Sequence, residues 1–361
     1  MHSKLSCILF ACIAAPLSML WAAVVKVRAW LFDMGVFEQK SFPLPIICVG
    51  NLSVGGTGKT PHVEYLLRLL HAEGYHVAML SRGYGRKTKG FLLANAHTSA
   101  AELGDEPFQV SQNCPYATVA VCEKRVDGVE RILQLRPETD VIVLDDAYQH
   151  RYVKAGLNVL LTDSHRLYTH DRLLPWGRLR EPASASRRAQ VIVVTKCQHG
   201  ERPKLQVTAD QRLYYSQIVY ADLEQAGENA GLESGTNVVK SRKVLLIAAI
   251  ANPAPLREWL IQQGASDVVL AEFRDHHDFN ADDAQRIQRL WADNQCQMAV
   301  TTQKDIERLS LIKHLLPQSL QEHLYVQPIT VKVDAAQDNE ISFNQTILQY
   351  VRTNQRNRCV D

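Results

Sequence analysis

The residues Gly50-Asn51-Leu52-Ser53-Val54-Gly55-Gly56-Thr57-Gly58-Lys59-Thr60 follow the apolar run Ile46 to Val49 and precede Val63, Leu66, Leu67 and Leu70 at helical spacing. Strand, glycine-rich loop and amphipathic helix in that order make a phosphate cradle: backbone N–H groups surround phosphate oxygens and the helix N-terminus adds its positive dipole end. The expected nucleotide-binding stretch is therefore Ser53, Val54, Gly55, Gly56, Thr57, Gly58, Lys59 and Thr60. Lys59 would reach the β- and γ-phosphates and the Thr60 hydroxyl would ligate Mg2+. Pro61 falls in the first helical turn, where a missing N–H is tolerated. The strict pattern has glycine where Ser53 stands, and Val54 occupies the position at which a class of partitioning and membrane-cycling ATPases carries lysine. A second apolar run, Val141 to Leu144, ends in Asp145-Asp146. Either carboxylate would hold the Mg2+ shell of the nucleotide; the alternative is a strand-end turn with solvated acids. Guanine recognition calls for an N/T-K-x-D element, and Thr195-Lys196-Cys197-Gln198 ends in glutamine instead. The expected nucleotide is ATP.

Elements able to position these groups are legible around them. Short β-branched runs at Ile46–Val49, Val77–Leu80, Thr118–Val121, Val141–Leu144, Val159–Leu161 and Val191–Thr195 alternate with helical patterns. That alternation predicts an α/β fold with a mostly parallel sheet and flanking helices, of the P-loop NTPase type. The stretch from Asp222 to Arg242, rich in Gly, Glu, Asn and Ser, reads as a domain boundary. Beyond it a smaller α/β domain is expected, with strands at Val244–Ile250 and around Met298–Thr301 and a helix after Pro255. The predicted division is an anchoring helix at 1–28, a kinase domain at 29–222, a linker at 223–242 and a C-terminal domain at 243–361.

Leu5 through Val25 carries no charge and is bracketed by Lys4, Lys26 and Arg28. About 20 such residues are needed to span a bilayer. A cleaved secretory signal and a helix lying in the interface are the alternatives, the second favoured by Pro16, Trp21, Trp30 and the flanking cations. Membrane attachment is the expectation. A net charge of +2 over 361 residues is no basis for nucleic-acid binding. The eight cysteines form no CxxC pair or Cys/His cluster, so neither a zinc site nor a disulfide framework is indicated.

Further pieces are Ser81-Arg82-Gly83-Tyr84-Gly85, Gly104-Asp105-Glu106-Pro107, Asp145 to His150, Arg178 to Pro182, Phe273-Arg274-Asp275-His276-His277 and Thr301 to Asp305. In this order, with the phosphate loop, the sequence resembles the tetraacyldisaccharide 4′-kinases along nearly its whole length. Ala147, where glycine is common, and Ala249-Ile250-Ala251-Asn252-Pro253, usually richer in glycine, depart from the pattern. The resemblance implies transfer of the ATP γ-phosphoryl group to the 4′-hydroxyl of a tetraacylated glucosamine disaccharide 1-phosphate, in lipid A assembly at the cytoplasmic face of the bacterial inner membrane. It implies that Asp105 accepts or orients the proton of the acceptor hydroxyl, that His276 pairs with that carboxylate across the domain boundary, and that Arg180 offsets charge on the transferred group. Glu181 falls in the metal set by the same match, with Thr60, Asp145 and Asp146. Arg82, Arg86, Lys87 and Lys89 would meet the 1-phosphate or lipid headgroups, or form a solvated basic loop. Other readings are a kinase for a different membrane lipid or sugar, and an ATP-dependent membrane switch without an acceptor.

Overall fold

The computed structural model describes residues 2–198, 200–226, 235–275, 277–336 and 341–355, with side chains from residue 13 onward except at 236. Its strands are β1 (Ile46–Asn51), β2 (Val77–Ser81), β3 (Leu92–Leu93), β4 (Thr118–Val121), β5 (Val141–Asp145), β6 (Leu157–Asp163), β7 (Val191–Thr195) and β8 (Arg212–Tyr220), followed by β9 (Glu224–Gln225), β10 (Lys243–Ala248), β11 (Asp267–Glu272), β12 (Met298–Thr302), β13 (Leu324–Gln327) and β14 (Ile329–Ala335). The helices are α1 (His2–Asp33), α2 (Lys59–Ala72), α3 (Ala100–Leu103), α4 (Asp105–Asn113), α5 (Arg125–Leu135), α6 (Ala254–Gln262), α7 (Ala281–Asp293), α8 (Ile306–Ser310), α9 (Gln318–Glu322) and α10 (Phe343–Gln355). Two compact units result, one of Met1–Ile218 with Val331–Asp361 and one of Val219–Thr330.

The first unit holds a sheet in the order β14-β8-β7-β6-β1-β5-β2-β4-β3. Pairing is parallel from β8 through to β4, and β3 runs antiparallel to β4. All six predicted runs are strands of this sheet. β1 is buried along its whole length, because both faces are covered. Ile46, Cys48, Ile142 and Leu144 pack on one face, while Ile47, Val49, Val141 and Val143 meet Val63, Leu66, Leu67 and Leu70 of α2 on the other. The strands between β1 and β5 in sequence lie to one side of β1 and those after β5 to the other. The topological switch point therefore falls at the C-terminal end of β1, where a doubly wound sheet takes its ligand.

The chain past residue 330 returns to this first unit, so the expected C-terminal domain of 243–361 is corrected. β14 extends the sheet beside β8, and Phe343, Ile347, Leu348 and Val351 of α10 enter the core that α2 covers. The Tyr350 hydroxyl donates to the Ile46 carbonyl at 3.0 Å and accepts from the Ile46 amide at 3.2 Å, tying α10 to the first residue of β1.

In the second unit the order is β11-β10-β12-β13-β9, parallel except for β9 against β13. The described part of the 223–242 segment belongs to this unit instead of linking two others. β9 pairs with β13, and Leu223 and Val239 are fully buried beside Leu246 and Tyr325. At the other end of the chain α1 continues to Asp33, five residues past the expected anchor boundary at 28.

Candidate active site

Gly50 near the end of β1 is held so close to the turn after β5 that a Cβ there would lie 2.6 Å from the Tyr148 Cβ. Only glycine lets the two strand ends meet. The chain then runs extended beside the 178–180 segment: Arg180 N donates to Leu52 O at 2.7 Å, Val54 N to Arg178 O at 2.8 Å, and Ser53 bridges Leu179. Ser53 is thus in extended pairing, where a side chain is no obstacle, and its departure from glycine needs no compensation. The Val54 amide is already used by Arg178, which removes it from the set of expected phosphate donors. The reversal is made by Gly55 at φ 112° and Gly58 at φ 78°, conformations that suit glycine. Inside the turn, Asn51 Nδ2 donates to Thr57 Oγ1 at 2.8 Å. Lys59 opens α2, with Nζ 3.6 Å from Asp146 Oδ1.

Asp145 ends β5 fully within the protein, accepting from Ser81 Oγ at 3.0 Å. Its other oxygen, Oδ1, has no partner among the described residues. Burial pushes its pKa up, Glu106 and Asp146 add to the shift, and Lys59 opposes it. Arg125, 2 % exposed, donates from Nη2 to the Asp145 carbonyl at 3.4 Å and from Nη1 to the Cys122 carbonyl at 2.6 Å. Asp146 follows with a left-handed backbone, φ 43°. Arg180 Nη1 lies 3.2 Å from both of its oxygens and 3.4 Å from Gln149 Oε1, and Gln149 Nε2 returns to the Asn51 carbonyl at 2.8 Å. The buried Thr60 hydroxyl, the unsatisfied Asp145 Oδ1 and the Asp146 carboxylate are oxygen groups of the kind that Mg2+ takes.

Helix α1 holds the rim of this cluster. Trp21 Nε1 donates to the Arg180 carbonyl and Arg28 Nη2 to the Gln149 carbonyl, each at 3.0 Å. Ser18 Oγ donates to Leu173 O at 2.9 Å and accepts from Trp176 N at 3.1 Å. Phe32 packs edge-on to Tyr152 and beneath the Arg151 guanidinium.

The family model for tetraacyldisaccharide-1-P 4′-kinase matches residues 10–351. This chain belongs to that family. It is 42% identical to the tetraacyldisaccharide 4′-kinase of Bacteroides thetaiotaomicron, over 95% of this chain and 93% of the relative. It is 44% identical to that of Parabacteroides distasonis, over 96% of both. The crystal structure of LpxK from Aquifex aeolicus in complex with ATP superimposes with a TM-score of 0.73 at 28% identity, covering 93% of this chain and 98% of that one.

The motifs shared with the tetraacyldisaccharide 4′-kinases are brought together unevenly. Asp105 begins α4 after Gly104, whose φ is 90° and whose added Cβ would lie 2.8 Å from the Tyr84 carbonyl; an added Cβ at Gly83 would lie 2.8 Å from the Leu103 carbonyl. The 81–85 and 104–107 loops therefore touch backbone to backbone beside the Asp145 end of the sheet. Arg86 is engaged by Glu123 and the Gly90 carbonyl, each at 2.6 Å, and so stabilises its own loop; Arg82, Lys87 and Lys89 are exposed. Glu181, 4 % exposed, is paired with Arg188, which lies over the Tyr148 ring.

His276 lies outside the described residues. His277, in the second unit, contacts Asp283 at 2.7 Å and stacks on Phe273. Ala147 is accommodated because the left-handed residue of its turn is Asp146, and none of residues 249–253 has a positive φ. Sequence reasoning gave Ser81 and Gln149 no role within the motifs that contain them, and missed Arg125. The available signal was that all three stand just past, or at, the C-terminal end of a parallel strand.

Proposed function

We propose that this chain transfers the γ-phosphoryl group of ATP to the 4′-hydroxyl of a tetraacylated glucosamine disaccharide 1-phosphate at the cytoplasmic face of the inner membrane. The observation that carries this reading is the convergence of Lys59 and Arg180 on Asp146 at the mouth of the glycine-rich loop. Two cations beside loop amides are suited to the charge of a transferring phosphoryl group. When nucleotide enters, Lys59 would turn to the β- and γ-phosphates and Arg180 to the equatorial oxygens. Thr60, Asp145 and Asp146 would hold Mg2+, which neutralises phosphate charge when bound. Asp105, in the first turn of α4, takes the proton from the acceptor hydroxyl as the new O–P bond forms and the bond to the leaving ADP oxygen breaks. His276 is carried as its partner on the family resemblance alone.

The acceptor has four acyl chains and stays in a bilayer, so the enzyme must work at one. Ile13–Asp33 is, among the described residues, the helical stretch long and apolar enough to cross a membrane by length and composition. Ala14, Ser18, Val25 and Phe32 are buried, while Leu17, Leu20, Val24 and Val27 are exposed. If residues 13–33 crossed the bilayer, the polar backbone of the 173–180 loop bonded to them would enter hydrocarbon, which is unfavourable. The helix is better suited to lie in the interface with its open apolar face toward lipid.

The test is incubation of the purified chain in mixed micelles with γ-labelled ATP, Mg2+ and the disaccharide 1-phosphate. Label on the 4′-oxygen of the lipid is the expected result. Release of free phosphate with the lipid unlabelled would overturn the reading in favour of an ATPase switch.

A further inference from the structure

Three consecutive carbonyl oxygens of the glycine-rich loop are each held by a side chain. Lys196 Nζ donates to Gly56 O at 2.6 Å, Thr195 Oγ1 to Thr57 O at 3.0 Å, and His62 Nδ1 to Gly58 O at 2.6 Å. In a planar trans peptide the C=O of one residue and the N–H of the next point in opposite directions. Fixing these oxygens therefore fixes the amides of Thr57, Gly58 and Lys59 on the opposite side of the strand of loop. Among the described residues, no main-chain carbonyl accepts from those amides. We infer that Thr195, Lys196 and His62 are positioning residues that aim three loop amides at the nucleotide phosphates before the nucleotide arrives. This rests on the reading of the loop as a phosphate site.

Each anchor is itself braced. Thr195 ends β7, two strands from β1, and is 1 % exposed. Lys196 follows in a left-handed conformation, φ 59°, and its ammonium is also held by Asp163 at the end of β6, at 2.7 Å. The loop thus receives a donor whose charge is already balanced. His62, in the first turn of α2, is 2 % exposed and has Nε2 2.9 Å from Ser216 Oγ of β8. A carbonyl only accepts, so Nδ1 carries the proton and Nε2 takes the hydroxyl hydrogen of Ser216. Burial pushes the ring's pKa down to about 4, which keeps it neutral near pH 7. The anchors counter a specific weakness: Gly55 and Gly58 supply the required positive φ but also many alternative conformations. A loop already held loses less freedom when it binds.

The test compares Thr195→Val, Thr195→Ser, Lys196→Met and His62→Phe with the parent chain, in the full-length protein. Calorimetry measures affinity for ADP and for inorganic tripolyphosphate, and single-turnover assays follow transfer. Melting temperatures report folding. Thr195→Val keeps shape and loses only the hydroxyl, so it is the deciding variant. The expected result is a loss of roughly tenfold in affinity for both ADP and tripolyphosphate, with Thr195→Ser close to the parent. Equal losses for the two ligands place the effect on the phosphates and not on the base. Parent-like affinity in Thr195→Val, or an equal loss in Thr195→Ser, would overturn the inference. A folded parent chain that binds neither ligand would instead remove the phosphate-loop reading itself.

Discussion

Lys59 and Arg180 reach the same carboxylate, at 3.6 and 3.2 Å, so two cations share one anion in the site as it stands. Asp146→Asn would remove the anion that the two cations share, leaving Arg180 with Gln149. Metal-free ADP should then bind roughly tenfold more tightly, whereas Mg2+-dependent transfer should fall by about a hundredfold or more; titration with and without chelator separates the two effects. Unchanged metal-free affinity would mean that the pairing is incidental. Lys59→Ala should slow single-turnover transfer by about a hundredfold or more in a chain that still melts cooperatively. His62 carries a pH signature. Its folded pKa of about 4 lies below the ordinary 6.5, so the unfolded chain binds more protons between those values and stability rises with pH across that window. The full contribution, present above pH 6.5, is about 3 kcal/mol and is lost as pH falls toward 4. His150, also lowered to about 4, has the same sign, whereas buried Asp145, shifted up, has the opposite one. Urea unfolding from pH 4 to 7 should show a shallower slope in His62→Phe than in the parent.

Whole elements were legible where their evidence is local. The runs at β1, β2, β4, β5, β6 and β7 are continuous and β-branched because both faces of those strands are covered, and the loop and the Asp145-Asp146 pair sit at strand ends where the fold needs them. β8 was harder to see, since Ser216 and Gln217 interrupt its apolar residues. The return of the chain through β14 and α10 could not be read at all. It depends on pairing with β8 and on a core shared with α2, both distant in sequence, whereas composition at 222–242 signals only that a boundary is near. The loop anchors are invisible for the same reason: Thr195 and Lys196 act on Thr57 and Gly56 from the far side of β6. Phe343→Ala, at a 2 % exposed position between Tyr65 and Tyr214, should cost about 3–5 kcal/mol in urea unfolding. Truncation after residue 330 should prevent the first unit from folding. A stable truncated unit with parent-like ADP binding would show that the returning segment is dispensable.

At the scale of the molecule, the hydrogen bonds from Trp21 and Arg28 to the Arg180 and Gln149 carbonyls tie the N-terminal helix to the rim of the candidate site, a role beyond the proposed membrane attachment. Removing residues 2–33 should therefore depress transfer in micelles as well as on bilayers. Trp21→Phe, which keeps an aromatic face and loses one donor, should cost about 1 kcal/mol, roughly fivefold in rate, without releasing the protein from membranes. Full micellar activity after the deletion would reduce the helix to a tether. With the helix lying in the interface as proposed, these bonds make it a depth gauge. Its backbone rides at one level in the lipid, a helix is about 10–12 Å across, and Ser18, Trp21 and Arg28 tie it to the 173–180 segment and to Gln149. The elevation of the reacting phosphate above the acyl chains would then be set by the protein and not by the substrate. A sugar hydroxyl standing at that height on its own lipid is met without being lifted out, and the same hydroxyl on a taller headgroup would pass above the reacting phosphate.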